Sequence, residues 1–160
     1  MTIPSRSAQH GMFFVTSVTF NRRRVFQVSA NAELFLDTLQ HYRRDGKFLL
    51  HDFVVMPDHI HLLITPQAIT LEKAVGLIKG GFSRRLGSNF TVWQKGFTDH
   101  RIRDRADFDA RRYYIRENPV EERLVQFAED YPYSSAFRKA PQRLKPGVME
   151  VLTIRVNPYP

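Results

Sequence analysis

The feature that most constrains the fold is the stretch KFLLHDFVVMPDHIHLLITP, residues 47–66. Two runs rich in β-branched and aromatic residues are separated by Pro57-Asp58, a dipeptide typical of tight turns. We therefore predict an antiparallel hairpin, with residues 47–56 as one strand and the other strand starting at His59. Because side chains alternate between the faces of a strand, His59 and His61 should share one face. The opposite face should point three apolar residues into a core: Ile60, Leu62 and Ile64.

One strand and one helix are predicted on each side of this hairpin. Residues 13–20, FFVTSVTF, have strand composition, and residues 92–103 predict a turn at Lys95-Gly96 followed by a last strand. Ser29 is the expected N-cap of a first helix that stops at Gly46 and buries Ala32, Phe35, Leu36 and Leu39. Thr70 is the expected N-cap of a second helix that buries Leu71, Ala74, Val75 and Ile78.

A third helix is predicted after the last strand. Asp104 or Asp107 could cap it, and Pro119 should end it or begin another helix, because proline disfavours helical backbone in the residue before it. The order strand, helix, strand, strand, helix, strand predicts an α+β domain of the ferredoxin-like, split β-α-β-β-α-β class, with an antiparallel sheet, helices on one face and an additional C-terminal helix. We expect one domain over residues 1–137 and a peripheral or partly disordered tail over residues 138–160.

Composition narrows the chemistry. The net charge is +8, with 24 Lys and Arg against 16 Asp and Glu, which favours nucleic acid as a partner. The chain has no cysteine, so a metal site would use His, carboxylate, amide or water ligands. The sequence shows neither a run long enough to span a membrane nor a signal peptide, which predicts a cytoplasmic protein without membrane partners.

The candidate site combines the two histidines with residues of the third helix. Tyr114 and Asn118 are four positions apart, so on a helix they are neighbours on one face. Two imidazoles and an amide oxygen could hold a divalent cation, and a phenol beside it could attack a phosphodiester to give a 5′-phosphotyrosine and a free 3′-OH. Asn118 could instead cap a helix that starts at Pro119, and Tyr114 could be a packing aromatic. Tyr113 and Glu117 have the same spacing, so they form an alternative site, which we consider weaker.

Several segments together resemble a known family. MPDHIHLL resembles the His-hydrophobic-His signature of single-tyrosine HUH transposases, and YIRENPVEERLV followed by YPYSS resembles their REP-associated tyrosine transposase branch. FFVTSVTFNRRRVF, LIKGGFSRR and WQKGFTDHRIR are similar to that branch in content and order, so the resemblance covers about residues 13–135. Departures from the pattern are Asp58 in place of a common Asn, Glu121-Glu122-Arg123 in place of Arg-Ala-Gly, and Tyr133 in place of Trp.

The resemblance implies a ferredoxin-like endonuclease and strand transferase that acts on single-stranded or hairpin DNA formed by repetitive extragenic palindromes. By motif, Tyr114 would be the nucleophile, and His59, His61 and Asn118 would bind Mg²⁺ or Mn²⁺. Residue chemistry alone leaves the metal open, since two imidazoles also suit Zn²⁺. A monomer is preferred, with a dimer as the alternative.

The basic residues are the candidate DNA contacts. They form three groups: Arg22, Arg23 and Arg24; Lys79, Arg84 and Arg85; Lys95, Arg101 and Arg103. The main alternative function is a non-catalytic nucleic-acid-binding module on the same fold, which would bind DNA in a salt-dependent way without forming an adduct. A small metal hydrolase or cupin fits less well, because residues 62–67 contain no acidic ligand.

Overall fold

The computed structural model describes residues 11–138 of the chain. In this part of the chain the elements follow the predicted order: β1 (Phe13–Val18), α1 (Ser29–Arg44), β2 (Phe48–Met56), β3 (His59–Pro66), α2 (Leu71–Leu86), β4 (Thr98–Arg101) and α3 (Arg105–Glu121). Residues 139–160 of the predicted tail lie outside the described residues, so the boundary between domain and tail stays a prediction.

The four strands form one antiparallel sheet in the order β2-β3-β1-β4. The hairpin of β2 and β3 is confirmed, with Met56 opposite His59 across the Pro57-Asp58 turn. Since β3 inserts between β1 and β2, the two strands that α1 connects are split, as expected of a ferredoxin-like domain. The predicted α+β fold class is therefore confirmed.

The sheet is covered on both faces. One face and helices α1 and α2 enclose the larger core, which contains Phe13, Val15, Phe35, Leu39, Phe53, Val55, Ile60, Leu62, Ile64, Ile78 and Phe82. Helix α3 packs on the other face over a smaller core of Phe14, Val54, Met56, Leu63, Phe108, Ile115 and Tyr131. The prediction that helices pack on one face is therefore correct for α1 and α2. Helix α3 covers the opposite face, which carries His59 and His61.

Helix α3 begins as predicted but ends differently. Asp104, of the two candidates, caps it, because its Oδ1 accepts a hydrogen bond from the Asp107 N–H at 2.8 Å. The prediction that Pro119 ends the helix was wrong, since α3 runs on to Glu121. Pro119 removes one N–H donor from the helix. The turn that contains it is still closed, because the Glu122 N–H donates to Asn118 O at 3.0 Å. Asn118 therefore lies inside α3 instead of capping a new helix.

The predicted start of α1 and the limits of two strands also need correction. Thr70 caps α2 as expected, with its Oγ1 accepting from the Lys73 N–H at 3.0 Å. Ser29, by contrast, is the first residue of α1, and Val28 occupies the cap position without a side-chain hydrogen bond. Strand β1 ends at Val18, since a single 3-10 turn begins at Phe20. Strand β4 is confined to Thr98–Arg101.

The YPYSS segment, residues 131–135, lies along the outer edge of β2. The Val55 N–H donates to Tyr133 O at 2.8 Å, and the Ser135 N–H donates to Phe53 O at 3.0 Å. The Tyr131 hydroxyl, buried in the smaller core, donates to Val55 O at 2.6 Å. This segment therefore pairs with the edge of the sheet and closes the core beneath α3. No helix within residues 11–138 is both long and apolar enough to cross a membrane.

Candidate active site

A pocket of about 450 Å³ lies between the sheet and α3. Its walls include His59 and His61 from β3 and Tyr114 and Asn118 from α3. The structure thus brings together four side chains that the sequence analysis singled out, although the two pairs are more than fifty positions apart. The same pocket is also lined by Phe14, Thr16, Val18, Arg22, Arg111 and Glu122.

The two imidazoles and the amide are buried side by side. His59, His61 and Asn118 are 8%, 4% and 7% exposed, so most of each residue is shielded from solvent. The histidine ring centroids are 4.8 Å apart, and His59 Nε2 lies 3.3 Å from Asn118 Oδ1. Two ligand atoms each about 2.1 Å from one cation, at a right angle, are about 3 Å apart, so this separation suits a shared metal ion.

Neighbouring side chains fix the orientation of both rings. His61 Nδ1 is 2.8 Å from Thr16 Oγ1, which lies directly opposite on β1, and His59 Nδ1 is 2.7 Å from Asp58 Oδ1. With each Nδ1 engaged, each Nε2 is the nitrogen left for the pocket. A hydrogen-bond partner on the second nitrogen is the usual way in which proteins orient a metal-binding histidine.

Burial also sets the charge state of this group. Burial, and to a smaller extent the neighbouring His59, lowers the pKa of His61 to about 3, so this imidazole is neutral at pH 7. The pKa of Asp58 is below its ordinary value: burial alone would raise it, but the hydrogen bond and charge of His59 and the contact with Arg22 outweigh that effect. A neutral imidazole is the form that binds metals.

The donor set fits a divalent cation. His61 Nε2 is buried and has no hydrogen-bond partner in the described structure, an arrangement that costs free energy unless a ligand meets the nitrogen. A cation held by His59, His61 and Asn118 would satisfy it. Within residues 11–138 no group of three or more His, Cys, Asp or Glu is placed to hold a metal ion, so the amide of Asn118 is needed to complete three protein ligands.

The structure separates the two adjacent tyrosines. Tyr114 lines the pocket, where its ring meets His61 edge-on at 5.2 Å between centroids and Phe14 at 5.9 Å. Its side chain is 48% exposed, which leaves it open to a substrate. Tyr113 is 68% exposed and is absent from the pocket wall. As the tyrosine nearest to the two histidines, Tyr114 is therefore favoured over the alternative pair of Tyr113 and Glu117.

The nine predicted DNA-contacting residues do not converge on one place. Arg22 lines the pocket, but Arg23 packs over Phe90 and Arg24 bonds to Gln27. Lys79, Arg84 and Arg85 lie on α2, which packs on the opposite face of the sheet. Lys95, Arg101 and Arg103 lie before, on and after β4. Lys79 is tied to the backbone oxygens of Gln94 and Gly96, and burial lowers its pKa.

Sequence reasoning missed five pocket residues, one of which, Val18, is the last residue of β1. Phe14 and Thr16 lie on β1 on the same face as the histidines, a placement that depends on the pairing of β1 with β3. Arg111 and Glu122 lie three positions before Tyr114 and four after Asn118, so helical spacing could have found both. Glu122 belongs to the acidic pair that replaces the usual Arg-Ala of the resembling proteins, which places a carboxylate at this wall.

Comparison with known proteins identifies the family to which this chain belongs. The family described as "Transposase IS200 like" matches residues 9–118, more than half of the chain. The chain therefore belongs to the IS200-like transposase family.

Within that family the similarity points to one branch. A REP-associated tyrosine transposase of Escherichia coli K12 is 28% identical over 138 residues, covering 85% of this chain and 82% of that protein. A Haemophilus influenzae Rd protein named as a candidate member of the same branch is 27% identical over 154 residues, covering 85% of each chain. The solved structure of a REP-associated tyrosine transposase bound to a REP hairpin matches with a TM-score of 0.75 at 26% identity, covering 91% of this chain and 88% of that one. The resemblance inferred from motifs is thereby confirmed.

Proposed function

We propose that the protein is a metal-dependent endonuclease and strand transferase that cuts and rejoins single-stranded DNA through a covalent tyrosine intermediate. The observation that carries this proposal is the convergence of Tyr114 with His59, His61 and Asn118 in one pocket. Membership of a transposase family supports an enzymatic role. All four side chains come from one chain, which supports a monomer as the active unit.

The proposed step is an exchange of one phosphate ester for another. The Tyr114 oxygen attacks a backbone phosphorus and loses its proton to solvent, while the bond from phosphorus to the 3′-oxygen breaks and that oxygen takes up a proton. The products are a 5′-phosphotyrosine and a free 3′-OH. Because the phosphotyrosine keeps an ester bond, a 3′-OH can attack it in reverse and rejoin a strand without another energy source.

The residues around the phenol set up this step. His59, His61 and Asn118 would hold Mg²⁺ or Mn²⁺, which supplies charge stabilisation to the phosphate oxygens. Thr16 and Asp58 keep both Nε2 atoms directed at the pocket. Contacts of Tyr114 with the rings of His61 and Phe14 keep the phenol beside the ligands, so the nucleophile is positioned before DNA arrives.

Hairpin-forming DNA is the proposed substrate. The solved relative was bound to a REP hairpin, and this chain covers 88% of that structure at a TM-score of 0.75. The net charge of +8 supports binding to a polyanion. We therefore propose that this chain also acts on hairpins formed by repetitive palindromes, with the cut in flanking single-stranded DNA.

The test is covalent capture. Purified protein is incubated with end-labelled oligonucleotides that carry a palindromic repeat taken from DNA next to the gene and single-stranded tails, with Mn²⁺ or with EDTA. A denaturing gel should show a labelled protein adduct with Mn²⁺ only, and Tyr114→Phe should abolish it, whereas Tyr113→Phe serves as the matched control and should retain it. Salt-sensitive binding without any adduct would favour the non-catalytic binding module instead.

A further inference from the structure

Two guanidinium groups from separate elements line the same pocket as Tyr114. Arg111 belongs to α3, and Arg22 belongs to the loop after β1. We propose that Arg22 and Arg111 form a phosphate-binding subsite that holds the backbone of the single strand beside Tyr114. This inference rests on the proposed function, because it names the residues that would position the DNA which Tyr114 attacks.

Arg111 is held in place from two sides. Its guanidinium carbon lies 5.1 Å from the centroid of Phe14, whose ring also stacks on His61 at 5.2 Å. Its Nε lies 3.6 Å from Asp107 Oδ1, one helical turn earlier on α3. That contact uses Nε, and the guanidinium carries four further N–H donors on its terminal nitrogens. A cation positioned before the ligand arrives loses little freedom on binding.

Asp107 is suited to anchor Arg111 because it stays ionised. Its side chain is 8% exposed, and its Oδ2 accepts from the Arg103 N–H at 2.9 Å and lies 2.8 Å from His100 Nε2. Burial alone would raise the pKa of Asp107, but these hydrogen bonds and the charges of His100 and Arg103 hold it below its ordinary value. The orientation of Arg111 is therefore built into the junction of β4 and α3.

Arg22 is presented by an unusual backbone. Asn21 and Arg22 have φ angles of 54° and 51°, a left-handed conformation that residues other than glycine seldom adopt. The Arg22 N–H donates to Thr19 O at 3.0 Å, and Thr19 Oγ1 donates to Arg23 O at 2.7 Å, so the turn is fixed by its own hydrogen bonds. Such strained backbone is concentrated at functional sites.

The present partner of Arg22 is one that a phosphate could replace. Arg22 Nη1 lies 3.4 Å from Asp58 Oδ2, while the other carboxylate oxygen of Asp58 contacts His59. The Arg22 side chain is 65% exposed, and exposed ion pairs are weak. Glu122 adds a carboxylate to the same wall, where the guanidiniums of Arg22 and Arg111 outnumber it. The planar donors of arginine match phosphate oxygens.

The test measures binding, so it does not depend on cleavage. All proteins carry Tyr114→Phe and are assayed in EDTA by fluorescence anisotropy, with a palindromic hairpin bearing single-stranded tails and with the same hairpin without tails. A series of tailed probes replaces one tail phosphate at a time by a neutral methylphosphonate. Arg22→Gln and Arg111→Gln are compared with Arg105→Gln, a matched loss of charge on α3 at a residue paired with Asp109 outside the pocket.

We expect each pocket variant to weaken binding of the tailed probe about tenfold, the effect of one charge-assisted contact, and to lower the slope of log K against log salt by about 0.7. A methylphosphonate at the contacted linkage should weaken binding to the parent and to Arg105→Gln but cost nothing in the corresponding pocket variant. Arg111→Lys should restore part of that sensitivity, and thermal melting should show that every variant is folded.

Two outcomes would overturn the subsite. In one, Arg22→Gln and Arg111→Gln keep the full methylphosphonate sensitivity of the parent, which would leave the Arg22 contact with Asp58 as a purely structural ion pair. In the other, they weaken the hairpin without tails as much as the tailed one. Either result could occur even if the natural chain forms the Tyr114 adduct. Conversely, the methylphosphonate effect could be observed even if no adduct forms. The failure of this inference is therefore distinguishable from failure of the proposed function.

Discussion

The two faces of β3 differ in what their side chains do: one face packs into the larger core, and the other lines the pocket. Ile60, Leu62 and Ile64 are completely buried against the core of α1 and α2. On the other face, His59 and His61 occupy positions that are nearly as well buried, and one of their nitrogens has no partner in the described structure. One face of the strand stabilises the fold, while the other accepts an unfavourable polar group where a metal could bind.

A small domain can thus carry a polar site on one face of a strand while the other face packs into an apolar core. The larger core is apolar, so folding does not depend on the residues beneath α3 alone. The smaller core has room for a pocket because α3 covers only part of its face of the sheet. Substitutions on the two faces of β3 should therefore separate stability from metal binding. Two such changes come first, and two changes elsewhere that test stability alone follow them.

The largest effect is expected on the apolar face. Leu62→Ala removes a completely buried side chain from the larger core, and the cavity should lower the free energy of unfolding by about 2–5 kcal/mol. Urea denaturation would measure the loss, and Mn²⁺ titration followed by electron paramagnetic resonance should show nearly unchanged affinity in the folded fraction. A stability loss below about 1 kcal/mol would mean that this face does not carry the fold.

The neighbouring residue on the other face should respond in the opposite way. His61→Leu removes a proposed ligand together with its unpartnered buried nitrogen. We expect Mn²⁺ affinity to fall roughly 100-fold or more, while the free energy of unfolding without metal changes by about 1 kcal/mol or less. Unchanged Mn²⁺ affinity would remove His61 from the ligand set, and a loss of stability as large as that of Leu62→Ala would make the histidine structural.

Asp52, on β2 beneath α3, should make the stability of the protein depend on pH. Its Oδ2 lies 3.1 Å from Arg112 Nε, yet burial outweighs this contact and raises the pKa of Asp52 to about 6. A carboxyl whose pKa is raised on folding contributes stability below its unfolded pKa, near 3.8, and loses that contribution as pH rises through about 6.

Asp52→Asn removes this titration. The free energy of unfolding of the natural chain, relative to that of Asp52→Asn, should therefore fall by about 1–3 kcal/mol between pH 4.5 and pH 8. Chemical denaturation across this range measures the difference. A constant difference would show that Asp52 keeps an ordinary pKa, and an increase would show that its contact with Arg112 dominates over burial.

The smallest effect is expected on α2, behind the apolar face. A Cβ added at Gly76 would meet no heavy atom within 4 Å, so Gly76→Ala should stabilise the helix by about 0.5–1 kcal/mol. At Gly81, in the same helix, an added Cβ would lie 2.7 Å from the Tyr42 ring of α1. Gly81→Ala should therefore be less stable than Gly76→Ala, and thermal melting that shows equal gains would contradict the close approach of α1 and α2.

Most of the fold was predictable because local patterns agreed with the sheet. Alternation in MPDHIHLLITP gave the correct face for His59 and His61 and for Ile60, Leu62 and Ile64. Thr70 and Asp104 capped the expected helices. Pro119 misled because the helix could lose one hydrogen bond near its end and continue. Ser29 misled because capping preference is a local signal, while Val28 in fact holds the cap position.

The site was only partly predictable. Helical spacing predicted that Tyr114 and Asn118 are neighbours. No local sequence pattern predicted that they meet the histidines, because that contact requires α3 to pack on the face of the sheet away from α1 and α2. Thr16 and Phe14 depend on the register of β1 against β3, which no local motif encodes. The basic residues show the limit most clearly, because of the nine predicted DNA contacts Arg22 alone lines the pocket.

The most direct test of the central claim is to locate the DNA on the protein. The adduct formed with Mn²⁺ and a tailed hairpin is digested with protease and nuclease, and tandem mass spectrometry finds the residue that carries the nucleotide. We expect a 5′-phosphate ester on Tyr114 in the natural chain and no modified peptide from His61→Leu. A nucleotide on Tyr113 or on a serine, or an undiminished adduct in His61→Leu, would contradict it.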